Sequence, residues 1–154
     1  MEKTNVMRIL EQKKIRYEAH CIGDNTKLSG VDVANALGKM PESVFKTLVT
    51  VGKSGSNYVF VVPINGELNL KKAAKAVGEK SVEMIKQRDL LPLTGYVHGG
   101  CSPIGMKKRF PSYIHQSAAG LDRIFVSAGR VGCQAELAPG DLIRVAELKT
   151  ADLV

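Results

Sequence analysis

Lys46 stands inside the run VFKTLV, with apolar neighbours on both sides in the chain. Strand alternation puts it on one face with Val44 and Leu48 and leaves Phe45, Thr47 and Val49 on the other. A lysine held among apolar side chains is costly to desolvate unless it meets an anion or a polar group. It therefore either reaches into a polar pocket or guards the edge of a sheet against aggregation. A second stretch, GYVHGGCSPIGMKK from Gly95 to Lys108, carries four glycines, one proline and one cysteine. Gly99 and Gly100 allow close backbone approach, and successive N–H groups can form an anion-binding nest. Ser102 adds a hydroxyl, and Pro103 stiffens the turn. The plainer alternative is a tight turn between two elements. The spacing is neither that of a dinucleotide fingerprint nor that of a Walker loop.

Cys101 is a nucleophile by residue type, but such a cysteine needs a lowered pKa and a neighbouring base. His98 is its neighbour in sequence, and a loop seldom turns such neighbours into a Cys–His pair. A small buried side chain is the more economical reading. A serine-hydrolase elbow is absent from the sequence. Ser127 in VSAG and Asp141 in APGD complete the polar candidates; Asp141, in the first turn of a helix, suits the helix dipole. Cys21, Cys101 and Cys133 are odd in number and far apart, which is not the pattern of a disulfide framework, and the three histidines lack metal-ligand spacing. We expect no metal and no cofactor.

The elements that must carry these residues are legible in the patterning. Thr4 caps a first helix, and RYEAHCI reads as a strand from Arg16 to Ile22. Ser29 and Asp32 open a short helix through Val33 and Leu37 that stops at Gly38. SVFKTLVTV and YVFVVPI form a hairpin around GKSGSN. Asn69 caps and Gly78 ends a helix over NLKKAAKAVG. SVEM is a short strand, and IKQRDLLP makes a turn or two of helix closed near Pro92. SYIHQ, RIFVSAG and VGCQAELA are three further strands, the last two joined tightly at Ala128, Gly129 and Arg130. Pro139 starts a final helix, PGDLIRVAEL. Strands that cluster as hairpins predict an α+β fold, a mixed, mainly antiparallel twisted sheet or barrel flanked by helices. The 154 residues suit one domain, 1–154.

Lysine and arginine number 22 against 15 acidic residues, a net charge of +7. Such a surface attracts phosphate backbones, although charge alone also serves solubility. Lys71, Lys72 and Lys75 form one basic cluster, and Lys107, Lys108 and Arg109 another beside the glycine stretch. Four Phe, four Tyr and no Trp leave little for a base-stacking platform. The sequence has no apolar run long enough to span a bilayer and no apolar signal segment at the N-terminus, so we expect a cytoplasmic protein with no membrane partner.

Taken together, VFKTLV, LNLKKAAKAVGEKSVEMI, TGYVHGGCSPIGMKK and IFVSAG…ELAPGDL resemble the YbaK/EbsC family of free-standing aminoacyl-tRNA editing proteins, related to the editing insertion of bacterial prolyl-tRNA synthetases. The resemblance covers nearly the whole chain in order. It implies a twisted barrel whose pocket is lined by Lys46, with Gly99 and Gly100 beside it as catalytic groups, and with Thr47, Ser102, Ser127 and Asp141 binding substrate. Ala128 replaces a family glycine, and the aromatic residues of some members are missing around Ile22 and Ser29. It implies a mischarged tRNA as substrate, Cys-tRNA(Pro) above all. The thiol of the substrate attacks its own ester, and the glycine amides meet the oxyanion. Prolyl-tRNA synthetase is the partner that such proteins can use for tRNA selection. Two other readings stay open: a binding module without catalysis, and a deacylase for another small amino acid such as that of Ala-tRNA(Pro).

Overall fold

The computed structural model describes residues 2–21, 34, 35 and 38–154. Helix α1 (Asn5–Gln12) starts where Thr4 accepts a hydrogen bond from the Met7 amide at 3.2 Å, as a side-chain N-cap should. Its Val6, Met7 and Leu10 are fully buried. Strand β1 (Glu18–Cys21) follows, then β2 (Phe45–Gly52) and β3 (Asn57–Pro63) as the expected hairpin. Helix α2 (Leu70–Val77) has the caps its sequence announces: Asn69 accepts from the Lys71 and Lys72 amides, and Gly78 turns left-handed at φ +75°. Next come β4 (Val82–Met84), α3 (Gln87–Thr94), β5 (Ser112–His115), β6 (Ile124–Ser127), β7 (Cys133–Leu137), α4 (Pro139–Val145) and β8 (Leu148–Ala151). Of the helix expected from Ser29 to Gly38, only Ala34, Asn35 and Gly38 are among the described residues, and Ile22 of the first expected strand is not.

The strands form two sheets, ordered β1-β7-β6 and β4-β2-β3-β5-β8. Pairing is antiparallel except for β3 with β5 and β5 with β8. A parallel bridge between Val44 and Phe125 joins the sheets through the start of β2 and the strand β6. The inner faces of both sheets share one core with α1, in which Phe45, Val61, Ile114, Val126 and Ala135 lie at 0–2% exposure. Burial of this kind contributes roughly 1.5–3 kcal/mol for each large side chain. The expected mixed, mainly antiparallel sheet with flanking helices is the architecture found.

Three expectations need correction. Helix α3 does not close at Pro92; it runs through that proline and stops at Gly95, whose φ is +83°. Proline removes one intrahelical hydrogen bond, but Pro92 is exposed, so water can satisfy the carbonyl left over. The last helix ends at Val145 rather than Leu148; Glu147 adopts φ +52°, and the chain returns as β8. Cys21 and Cys133 are joined in a disulfide although they lie 112 residues apart. They face one another across the β1–β7 ladder, and distance along the chain says nothing about such a register. Closing a loop of this length restrains the unfolded chain by up to about 4.7 kcal/mol. Treatment with a dithiol should therefore lower the urea midpoint with the fold retained, and Cys21→Ser should abolish that difference between reduced and oxidised samples.

His115 ties the C-terminal segment down, because its Nδ1 accepts a hydrogen bond from the Leu153 amide at 3.0 Å. Burial lowers its pKa, opposed in part by Asp152. A histidine kept neutral in the fold stabilises it fully above the ordinary imidazole value, and that contribution is lost as pH falls through and below that value. Urea unfolding at pH 7 and pH 5 should show the loss, and His115→Asn, which keeps an acceptor but does not titrate, should reduce it.

Candidate active site

The parallel bridge fixes the surroundings of Lys46. Val44 and Phe125 pack together with Ala34, so they lie on one face. Continuing that bridge register two residues along both strands sets Lys46 of β2 beside Ser127 of β6, and the two strands remain close beyond the bridge. Ser127 pairs with Gln134 of β7, and Gln134 pairs with His20 of β1. Directly opposed residues on paired strands share a face. The result is a row of polar side chains, His20, Gln134, Ser127 and Lys46, crossing four strands on the side away from the main core. Gln134 and Ser127 are buried at 7% and 8% exposure, and Lys46 is half-buried.

Lys46 does not sit at a sheet edge. It pairs with Val62 of β3 on one side, and β6 runs along the other. The edge-guard reading thus loses its footing. Thr47 turns to the opposite face, where its buried hydroxyl has no hydrogen-bond partner among the described residues. Ser127 accepts a hydrogen bond from the Gly129 amide at 3.1 Å, which leaves its own proton available to donate along the row.

The glycine stretch comes to the same end of β6. The connection from Ala128 to Gly132 packs on Gly100 so closely that a Cβ there would stand 3.1 Å from the Val131 nitrogen and 3.3 Å from the Arg130 carbonyl carbon. Gly99 holds φ +87°, a conformation glycine adopts without penalty. The Gly100 amide donates to the Val97 carbonyl at 3.0 Å. That use corrects the expectation that both glycine amides point outward as donors: the Gly100 amide closes its own turn, and Gly99 beside it is exposed. Ser102 is fully buried and accepts from the Ile104 amide at 3.2 Å, so its hydroxyl serves the loop itself. Tyr96 braces the same loop by donating its hydroxyl to the Ile104 carbonyl.

Asp141 stands apart from this constellation. It lies in the first turn of α4 and pairs with Arg144 on the same helix. Strand β7 separates it from Gln134 by three residues to Leu137, about 10 Å of strand before the helix begins. Cys101 is buried in the main core, and burial pushes its thiol up to about 12, with a Thr94 hydrogen bond pulling slightly the other way. Almost no thiolate exists there at neutral pH. Cys101→Ala should keep the activity that the sequence resemblance implies within about two-fold, and melting should show a cost of only about 1 kcal/mol for the small volume lost. A rate collapse with an unchanged melt would bring the cysteine back as nucleophile.

Sequence reading missed His20 and Gln134. Nothing in RYEAHCI or VGCQAELA marks them locally; only the register that aligns them with Ser127 does. His20 Nε2 lies 2.8 Å from Glu136 Oε1 and 3.8 Å from Glu18 Oε2. Arg123 also meets Glu136, through Nε at 3.5 Å and through Nη2 to the carbonyl at 3.2 Å. Burial works against the charge on Glu136, but the His20 hydrogen bond and the charges of His20 and Arg123 outweigh it and hold the carboxyl below its ordinary value. Glu18, His20 and Glu136 bring ligand-type atoms within 4.8 Å of one another, a set that could hold a metal ion. Arg123 already shares the Glu136 carboxylate, so the group balances much of its charge without a cation.

The profile of the aminoacyl-tRNA editing domain matches residues 25–145. An Enterococcus faecalis protein, EbsC, whose name describes a Cys-tRNA(Pro)/Cys-tRNA(Cys) deacylase, is 46% identical over 153 residues, 99% of this chain and 93% of that protein. A proline–tRNA ligase of Shouchella clausii is 30% identical over 101 residues, which is 66% of this chain but 18% of the ligase. Among solved structures, one described as a trans-editing enzyme for prolyl tRNA synthetase superposes with a TM-score of 0.82 at 24% identity, covering 99% of this chain and 98% of that one, and so shares the fold.

Proposed function

The chain belongs to the aminoacyl-tRNA editing domain family, and from that premise we propose that it is a free-standing deacylase that clears cysteine from tRNA(Pro) by cleaving the aminoacyl ester. The observation that carries this reading is the polar row ending in Lys46, with the glycine loop packed against the connection that follows Ser127. Ester cleavage needs a nucleophile, a stabilised oxyanion and a leaving oxygen. The chain's own Cys101 is withdrawn into the core, and the substrate brings a thiol. Lys46 then holds the ribose or phosphate of the terminal adenosine, Ser127 donates to the ester region, and the exposed turn at Gly99 meets the developing oxyanion. Holding thiol and carbonyl in contact supplies roughly 7–11 kcal/mol at the extreme. A preorganised donor at the oxyanion adds about 3 kcal/mol.

The enzyme works on tRNA in the cytoplasm, with its basic runs on the acceptor-stem phosphates and prolyl-tRNA synthetase as the partner that presents tRNA(Pro). The test is single-turnover deacylation of Cys-, Ala- and Ser-tRNA(Pro), with and without that synthetase. Rapid loss of cysteine with slow loss of alanine and serine is the expected result. Equal rates for all three would remove the thiol from the chemistry, and no release at all would leave a binding module.

A further inference from the structure

A substrate thiol is mostly protonated at neutral pH, with only a few per cent present as the nucleophilic thiolate. A base beside it would raise the rate, and the polar row ends on one. We infer that His20, oriented by Glu136, takes the proton from the substrate's thiol, so that this site completes a Cys–His–Glu arrangement whose cysteine arrives with the tRNA. This rests on the deacylase reading above and adds a protein base to it.

The geometry supports it from three sides. His20 shares a face with Ser127 through the register of β1, β7 and β6, and the bridge register carried on along β2 brings Lys46 to the same face. Its ring lies 5.5 Å from that of Phe125, which places the imidazole over the same surface that Val44 and Ala34 cover further along. Its side chain keeps 30% exposure, whereas Glu136 is reduced to 13%. This is the layout in which a buried carboxylate orients a more accessible imidazole. The carboxylate at Nε2 selects the tautomer with its proton there, which makes Nδ1 the nitrogen with the lone pair.

Strand spacing sets the scale. His20 and Lys46 are three inter-strand steps apart, roughly 14 Å between backbones. The lysine side chain spans part of this, and a ribose with its cysteinyl ester fits the remainder with the thiol toward β1. A purely structural role for the cluster is less economical. Glu18 lies directly opposite Glu136, and like charges so placed weaken a sheet. Arg123 and His20 offset that repulsion, so the cluster as a whole does little for stability.

The step balances without any outside reagent. Nδ1 of His20 accepts the thiol proton, and the sulfur attacks the carbonyl carbon of its own ester. The bond from that carbon to the ribose oxygen breaks, and the oxygen takes the proton back from the imidazolium. The tRNA leaves with a free hydroxyl, and the four-membered cyclic thioester is opened by water to cysteine.

His20→Gln should lower the single-turnover rate on Cys-tRNA(Pro) by about 10²–10⁴-fold, the range of general-base effects, with KM little changed. Added imidazole should restore part of the rate to His20→Ala. Glu136→Gln should lose less, since the base survives without its orienting charge. Thermal melting of each variant separates these losses from unfolding. Wild-type enzyme that fails to release cysteine would sink the deacylase reading itself. An active wild type with His20→Gln within three-fold of it would overturn this inference alone. So would a loss confined to KM, which would make His20 a binding residue, or a loss in a properly folded His20→Ala that imidazole leaves untouched.

Discussion

Lys46→Ala should leave the melting temperature within a few degrees of wild type and slow cysteine release from tRNA(Pro) by at least about 10²-fold. The two halves of that expectation have separate causes. The side chain is half-buried on the outer face of β2, where its cross-strand partner Val62 and its strand neighbour Leu48 belong to the cluster under α2. Its removal trims a partly solvated stem at the margin of that cluster and withdraws a charge from apolar neighbours, so stability should change little. In the proposed site the ammonium fixes the end of the tRNA, while the reacting ester lies further along the row. Losing that anchor lets the ester drift, and a misplacement of about 1 Å costs on the order of 10²-fold in a proximity-driven reaction. Lys46→Arg should not recover the rate, because a planar fork on a longer side chain cannot occupy the place of a compact ammonium between Val44 and Leu48. The measurement is the first-order decay of [³⁵S]Cys-tRNA(Pro) at saturating enzyme, beside a thermal melt. Near-normal decay by Lys46→Ala would remove the lysine from the chemistry.

How much of this was legible beforehand depended on whether the signal was local. Asn69 and Gly78 mark the ends of α2 because a cap and a left-handed stop act within one turn of the chain. The β2–β3 hairpin is legible for the same reason, through two β-rich runs and a glycine turn. Strand β8 is four residues, LKTA, with little apolar pattern of its own; it exists because Glu147 reverses the chain onto β5. The end of α3 was misplaced because proline is usually a stop, and here an exposed proline sits inside a helix that Gly95 ends. The site divides along the same line. Lys46 and the glycine loop announce themselves by composition. The Cys21–Cys133 bond, the alignment of His20 and Gln134 with Ser127, and the use of the Gly100 amide inside its own turn are all matters of register or fold. One chain read in order does not contain them.

Gly100→Ala should damage activity more than its single added methyl suggests. The new Cβ would press on backbone atoms of Arg130 and Val131 at 3.1–3.3 Å, closer than ordinary carbon contacts. Backbone cannot swing aside as a flexible side chain can, so the connection from Ala128 to Gly132 has to shift by a few tenths of an ångström. Overpacking of this kind costs about 1–3 kcal/mol. The shift reaches the site directly, because the Gly129 amide of that connection holds the Ser127 hydroxyl, and Cys133 at its far end is bonded to β1 next to His20. We expect a fall of about 10-fold or more in the single-turnover rate, with a melting temperature lowered by several degrees. Gly120→Ala is the control: a Cβ there has nothing within 4 Å, and both rate and melt should stay at the wild-type values. If Gly100→Ala lost stability but kept its full rate, the glycine loop would be packing for the fold alone, and the oxyanion would have to be met elsewhere in the site.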